Sequence, residues 1–175
     1  MSEYYILFAN ETGTDDSVIS KLRNIDTVKS AHGAFGQYDV IAKIESDNQS
    51  KAEQDITNKI RKIPQVRSTL TLEVNGVGFR KTNEVENEIL EMHSVVAYVM
   101  IHCSSSDESE VIEELKNIPE VIEASELTGS FEIICKVVAP SYNEISEVIA
   151  NKIRKIKNIK STTTLNIVGN QGFQK

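Results

Sequence analysis

The segment NKIRKI occurs twice, at Asn58–Ile63 and at Asn151–Ile156, with a spacing of 93 residues. Shifting the chain by 93 without a gap aligns many further identical residues, such as Tyr5 with Tyr98. The period is too long for a short solenoid repeat, and two copies are too few. The sequence therefore predicts a tandem pair of modules at 1–75 and 96–170, joined by a linker at 76–95 in which Glu84–Met92 can form a short helix.

Composition and charge indicate an ordinary globular protein. Of the 175 residues, 39% are hydrophobic and 26% are charged, and the formal net charge is −7. No apolar run is long enough to cross a membrane, and the first residues lack the basic flank of a signal peptide. We expect a cytoplasmic protein without a membrane partner. The negative charge argues against direct, specific DNA binding, and the basic residues of NKIRKI are interpreted as a solvated helix end.

The sequence contains no residue pattern typical of an enzyme or a metal site. Cys103 and Cys135 align with Asn10 and Ala42, so a disulfide is not part of the repeated design. The three histidines show no ligand spacing, and no nucleophile and base pair recurs in both copies. We predict no catalytic residues, no metal and no cofactor.

The periodicities of each copy predict the order βαββαβ, which is typical of an α+β, ferredoxin-like fold with a four-stranded antiparallel sheet and two helices on one face. In copy one the last strand is predicted at Val66–Val74, where glycines then break it, and in copy two at Ile159–Val168. Alternation in the strands assigns Thr69, Thr71, Asp39 and Ile41 to the helix-free face. Ile6 and Phe8 are expected there too, which makes that face apolar enough for sheet-on-sheet packing. The two modules are therefore expected to pair as a pseudo-dimeric α/β sandwich.

Copy two resembles the effector-binding (RAM) domain of the Lrp/AsnC family. The resemblance depends on AYVMI at 97–101, KNIPEV at 116–121, TGSFEIICKV at 128–137 and KSTTTLNIV at 160–168. Copy one is similar but looser, with GAFGQYDVIAKI at 33–44 and RSTLTLEV at 67–74. The family places a DNA-binding helix-turn-helix domain before one such module, whereas the first β-run of this sequence begins at Tyr4. We therefore expect the sensing and assembly half of the family without the DNA-reading half.

The resemblance implies small effectors, usually amino acids, bound at clefts between subunits. A glycine turn can offer backbone N–H groups to a carboxylate, an acidic residue can accept from an ammonium, and hydroxyls can complete the set. We expect copy one to bind better, because Glu132 is longer than the family's aspartate and Phe131 has no hydroxyl. The ligand-binding residues implied by the resemblance are Gly36, Tyr38, Asp39, Thr69 and Thr71 in copy one, and Gly129, Phe131, Glu132, Thr162 and Thr164 in copy two.

These observations predict an amino-acid sensing and oligomerising protein of the Lrp/AsnC regulator type. It is expected to act in transcriptional or metabolic regulation through self-association and partners, one of which would be a DNA-binding regulator. Two alternatives stay open. The first is a purely structural oligomer with a vestigial cleft, in which the glycines only form turns and the threonines only favour strands. The second is an enzyme of the dimeric α+β barrel kind.

Overall fold

The computed structural model describes residues 1–81 and 94–175, and its contacts divide the chain into two compact units. Unit 1 comprises Met1–Val74 and Ile167–Lys175, and unit 2 comprises Asn75–Asn166. The helix predicted at Glu84–Met92 lies outside the described residues. Among the helices in the described ranges, none is long and apolar enough to cross a membrane.

Both sequence copies follow the predicted βαββαβ order, which confirms the α+β class. The elements of copy one are β1 (Ser2–Asn10), α1 (Asp15–Arg23), β2 (Val28–Phe35), β3 (Val40–Ser46), α2 (Gln49–Asp55) and β4 (Val66–Arg80). The elements of copy two are β5 (Val95–Cys103), α3 (Glu108–Lys116), β6 (Val121–Thr128), β7 (Ile133–Ala139), α4 (Tyr142–Val148) and β8 (Ile159–Gln174).

The last strand of each copy is longer than predicted. β4 continues through Gly76 and Gly78 to Arg80, and β8 continues to Gln174, so the prediction that the strands end at Val74 and Val168 is wrong. Glycine has no side chain to obstruct close approach between strands, and here it permits the strand to continue.

The sheet of unit 1 has the order β4–β1–β3–β2, extended by the second half of β8. The sheet of unit 2 has the order β8–β5–β7–β6, extended by the second half of β4.

The helices of each unit cover one face of its sheet. In unit 1, Ile6 and Phe8 are fully buried in one cluster with Leu22 of α1 and Ala52 of α2. Leu7 and Ile41 are strand partners on the opposite face. The prediction for Ile41 is therefore right, but Ile6 and Phe8 lie on the helix-bearing face and not on the helix-free one.

The register of β4 also corrects the predicted position of the threonines. Thr69 is paired with Phe8 and Thr71 with Ile6. Directly opposite residues of antiparallel strands project to the same face, so both threonines lie on the helix-bearing face. The polar and apolar positions of the strand alternate as predicted, but alternation alone does not say which face the helices cover.

The second helix of each copy ends in a π-helical turn, at Ile56–Ile60 in copy one and Ile149–Ile153 in copy two. The N–H of Arg61 donates to the carbonyl of Ile56 at 3.0 Å. This turn contains the first three residues of the NKIRKI segment. Side chains cap both helices at their start, because Asn48 accepts from the N–H of Lys51 and Ser141 from that of Glu144.

Candidate functional site

The β2–β3 hairpin of copy one is attached to the end of β1 through Asp39. The Asp39 Oδ2 atom accepts a hydrogen bond from the backbone N–H of Asn10 at 2.9 Å, and the Asp39 N–H donates to the carbonyl of Phe8 at 2.8 Å. Gly36 has a φ of 144°, a conformation that favours glycine. The predicted ammonium acceptor therefore already has a structural partner, and its second carboxylate oxygen has no hydrogen bond within the described residues.

Asn10 connects this hairpin to the start of α1. Its side chain is buried, and its Nδ2 donates to Asp15 Oδ1 at 2.7 Å and to Thr14 Oγ1 at 3.1 Å. Its Oδ1 is a buried acceptor without a partner in the described part of the protein. The hairpin, the end of β1 and the first turn of α1 thus form one polar cluster.

The equivalent hairpin of copy two repeats the attachment with different side chains. Glu132 Oε1 accepts from the backbone N–H of Cys103 at 3.0 Å, and Gly129 has a φ of 143°. The Phe131 ring stacks on His102 with centroids 4.4 Å apart, and His102 Nδ1 lies 3.6 Å from Glu132 Oε1. Phe131 and Glu132 are therefore both engaged with the last two residues of β5.

The carboxylates of Glu108, Glu126 and Glu132 lie near one another at this second hairpin. Burial raises the pKa of Glu108, and the negative charges of Glu126 and Glu132 raise it further. Burial also raises the pKa of the Cys103 thiol to about 11, with Glu132 as the next cause. Within residues 1–81 and 94–175, no group of three or more histidine, cysteine or acidic side chains is arranged to hold a metal ion.

The strand threonines form a second patch, in which each copy has an arginine that sequence reasoning missed. Arg61 Nη2 donates to Thr71 Oγ1 at 3.2 Å, and Arg154 Nε donates to Thr162 Oγ1 at 2.9 Å. Both arginines follow directly after the π-helical turn. The repetition of NKIRKI is the available signal, although the sequence pattern alone favours a solvated helix end for its basic residues.

We name the residues of this second patch the strand patch. A surface cleft of about 340 Å³ is lined by Arg154, Ile159, Lys160, Ser161 and Thr162 in copy two. The corresponding positions of copy one carry the same chemistry, with two cations and a serine beside the threonines. The strand patch comprises Arg61, Arg67, Ser68, Thr69 and Thr71 in copy one, and Arg154, Lys160, Ser161, Thr162 and Thr164 in copy two.

The predicted site residues of one copy do not lie in one pocket. β1 lies between β3, which follows Asp39, and β4, which carries Thr69 and Thr71. Two inter-strand spacings correspond to roughly 10 Å. That distance exceeds the separation of the ammonium and carboxylate groups of a single α-amino acid. The hairpin and the strand patch are therefore separate surfaces of each module.

Comparison with known proteins identifies the module. The model of the Lrp/AsnC ligand binding domain matches residues 9–75 and 96–170. These segments cover most of the chain, so the protein belongs to the Lrp/AsnC family and contains two ligand-binding domains of that family.

The individual relatives are named as regulatory proteins. The regulatory protein AsnC of Haemophilus influenzae is 40% identical over 62 residues, which are 35% of this chain and 41% of that protein. An HTH-type transcriptional regulator of Pyrococcus horikoshii is 31% identical over 109 residues, 59% of this chain and 68% of that protein. The chain thus matches less than half the length of AsnC.

A solved structure resembles this chain over nearly its whole length. The siroheme decarboxylase NirDL has a TM-score of 0.72 and covers 99% of this chain, with 72% of NirDL covered in return. The sequence identity is 12%, so the likeness shows the fold alone.

Proposed function

We propose that this protein binds an amino-acid effector and transmits its presence by self-association and through partner proteins, one of which is a DNA-binding regulator. The modules at 1–75 and 96–170 are the two sensing units. Pairing of the modules through their helix-free sheet faces is part of this proposal, and the apolar Leu7 and Ile41 on that face of unit 1 support it.

The observation that supports the proposal is that the equivalent arginines of the two copies each donate to a threonine hydroxyl of the last strand, Arg61 to Thr71 and Arg154 to Thr162. A guanidinium beside hydroxyl groups is suited to bind a carboxylate, because it offers several N–H donors in a fixed plane. Arg61 is exposed and bonded only to the Thr71 hydroxyl among the described residues. A ligand carboxylate can therefore bind the guanidinium without breaking an ion pair.

The ammonium group requires an acceptor, and Asp39 retains one oxygen for it. The two patches of one module are roughly 10 Å apart, so a single effector cannot contact both. We propose that the strand patch of one subunit faces the hairpin of a neighbouring subunit, which places the effector between subunits. Effector binding would then favour assembly, because the complete cleft exists only in the associated state.

A thermal-shift screen tests this proposal. The full chain is heated with each of the twenty amino acids, and with a purine and an iron tetrapyrrole in separate samples. We expect one or a few amino acids to raise the melting temperature in a concentration-dependent way. Stabilisation by the tetrapyrrole alone would instead favour the enzyme alternative. No stabilisation by any compound would favour the purely structural oligomer and contradict effector binding.

A further inference from the structure

A surface groove of unit 2 carries opposite charges on its two walls, and the proposed function does not use it. The groove has a volume of about 810 Å³ and lies between the outer face of α3 and the chain segment that follows α4. This volume is within the range of small-molecule sites, which is roughly 300–1,000 Å³. We name it the α3 groove.

One wall of the α3 groove is acidic because three glutamates share a face of α3. Glu113 and Glu114 lie three and four residues after Glu110, a spacing that brings side chains together on one side of a helix. All three are exposed, while Val111 and Leu115 of the same helix are buried in the core of unit 2. The outward face of α3 therefore lines the groove with carboxylates.

The other wall of the groove is basic. Lys155 and Lys157 line it, and both are exposed. A third lysine, Lys152, is already paired with the Glu120 carboxylate at 2.8 Å. Neither Lys155 nor Lys157 makes a side-chain hydrogen bond or an ion pair with a residue in the described part of the chain, and the same is true of the three glutamates of the acidic wall. The two walls therefore face each other without bridging, and their charges are available to a ligand.

The surface between the walls is apolar. Ile118 is buried in the core of unit 2, and the half-buried Ile156 packs against that core. Asn158, next to the basic wall, has a φ of 77°, a left-handed conformation that asparagine adopts more readily than most residues. Its side-chain amide adds a donor and an acceptor to the lining. The α3 groove thus combines carboxylates, an apolar floor and ammonium groups in one concave surface.

Copy one does not repeat this arrangement of charges. The positions of the three glutamates carry Ser17, Ser20 and Lys21 in copy one. Lys21 Nζ donates to Gln65 Oε1 at 2.7 Å, and these two residues occupy the positions of Glu114 and Asn158. A side-chain bridge therefore crosses copy one where the groove of copy two is open. The opposed charges are not required by the fold, because the equivalent module folds without them.

The width of the groove selects the length of its ligand. The axes of neighbouring packed helices are roughly 8–10 Å apart, so the charges of the two walls are separated by on the order of 10 Å. The ammonium and carboxylate groups of one α-amino acid are too close together to reach both walls. An extended chain covers at most about 3.3–3.6 Å per residue, so about three residues span the groove.

We propose that the α3 groove binds a short peptide of about three residues with free termini. Its ammonium group lies against the glutamates of α3, and its carboxylate lies between Lys155 and Lys157. An apolar side chain at its centre packs on Ile118 and Ile156. A second copy of the protein does not fit through the same surface, because two concave surfaces leave the space between them unfilled. This ligand is distinct from the amino-acid effector, so the groove is a second site in copy two.

The test titrates the full chain with the tripeptide alanyl-leucyl-alanine by calorimetry at low salt. Exposed charge pairs are individually weak, so we expect saturable binding with a Kd of about 0.1–1 mM. Blocking the amino end by acetylation and blocking the carboxyl end by amidation should each weaken binding about threefold or more. Alanyl-seryl-alanine should bind more weakly, because it lacks the apolar side chain, and free leucine should not displace the tripeptide.

Substitutions on the two walls locate the binding. The triple variant Glu110→Gln, Glu113→Gln and Glu114→Gln and the double variant Lys155→Gln with Lys157→Gln should each weaken tripeptide binding about fivefold or more. All five residues are exposed, so cooperative melting of the variants is expected and is checked first.

Copy one supplies the matched controls. Lys62→Gln changes the equivalent of Lys155 in copy one and should leave tripeptide binding unchanged. Glu114→Lys with Asn158→Gln rebuilds the bridge of copy one across the groove and should abolish binding.

Four results contradict the inference. They are the absence of saturable tripeptide binding, binding that is indifferent to both wall variants, displacement by free leucine, and sensitivity to amidation without sensitivity to acetylation. The last result would assign the groove to the carboxyl end of a protein chain. If the tripeptide does not bind and the triple variant changes the sedimentation of the protein, the groove is an interface between copies and not a peptide site.

Discussion

The Asp39 carboxylate accepts a hydrogen bond from the backbone N–H of Asn10 at 2.9 Å. Glu132 makes the same contact with Cys103 in copy two at 3.0 Å. An acidic residue at this position therefore holds the β2–β3 hairpin, or its counterpart, to the end of the first strand of its copy. The contact gives the acid a structural role, and its unused oxygen leaves room for a ligand role, so experiments must separate the two.

Substitutions at Asp39 are expected to separate these roles. Asp39→Ala removes the acceptor of the Asn10 N–H, and we expect a loss of about 1–3 kcal/mol of unfolding free energy. Asp39→Asn keeps a side-chain acceptor and should cost much less. Urea denaturation measures both, with exposed Asp26→Ala as the matched control. Equal losses for the alanine and asparagine variants would show that charge, and not the hydrogen bond, stabilises the hairpin.

The equivalent lysines of the two copies, Lys59 and Lys152, pair with acidic residues at different positions of the fold. In copy one, the buried Asp55 accepts from Thr27 Oγ1 at 2.8 Å and lies 3.0 Å from Lys59 Nζ. In copy two, Lys152 Nζ lies 2.8 Å from Oε1 of Glu120, which occupies the position of Thr27. Val148 occupies the position of Asp55.

We therefore predict that Asp55→Val destabilises the protein by about 1–3 kcal/mol, because Thr27 loses its buried acceptor. The double variant Thr27→Glu with Asp55→Val rebuilds the arrangement of copy two and should recover a large part of that loss. A double-mutant cycle from urea denaturation measures the coupling. If the losses of unfolding free energy in the two single variants simply add in the double variant, the prediction that one arrangement can replace the other is contradicted.

Asp55 also predicts a dependence of stability on pH. Burial raises its pKa, but hydrogen bonds from Thr27 and Lys59 outweigh burial, so that the pKa lies below its ordinary value. A carboxyl group whose pKa is depressed by folding stabilises the protein at pH values above its pKa in the unfolded chain, which is about 4. This contribution is lost as the pH falls through the pKa of the group in the folded protein. The stability difference between wild type and Asp55→Val should shrink from pH 6 to pH 3. A constant difference across that range would show that packing alone is responsible.

Both cysteines are predicted to be unreactive in the folded protein. Burial, followed by the charge of Glu132, raises the pKa of Cys103 to about 11, and burial raises that of Cys135 to about 12. At pH 8 roughly one Cys103 thiol in a thousand is then ionised, and the thiolate is the reactive form. A chromogenic disulfide reagent should modify neither thiol in native protein and both in urea. Rapid native labelling of Cys103 would show that the second hairpin opens.

The sequence predicted the elements well because helices and strands leave different periodicities, and the 93-residue repeat supplied two independent readings of each. It did not predict the extension of β4 beyond Val74. Gly76 and Gly78 are locally typical of the end of a strand, and the strand beside which they lie is distant in sequence. It also misplaced Thr69 and Thr71, because alternation defines two faces without saying which one the helices cover. The role of Arg61 was missed because a contact from a helix end to an edge strand depends on the tertiary fold.

The strand patch yields a prediction for effector binding. Arg61→Gln removes the guanidinium charge but keeps a donor near Thr71, and we expect affinity for an amino-acid effector to fall about tenfold or more. Exposed Lys62→Gln, the next residue in the chain, is the control and should have little effect. Calorimetric affinities compare the two. If both variants lose affinity equally, the effect is general electrostatic attraction and not carboxylate recognition.

The central claim is that an amino-acid effector binds at the copy-one hairpin, and isothermal titration calorimetry with Asp39→Asn tests it most directly. The amino acid that most stabilises the wild type is titrated into the wild type, Asp39→Asn and the matched Glu132→Gln variant. We predict that Asp39→Asn weakens binding by about 1.5–3 kcal/mol, the contribution of a charged hydrogen bond, whereas Glu132→Gln changes it little. Unchanged affinity in Asp39→Asn, together with a clear loss in Glu132→Gln, would contradict the claim.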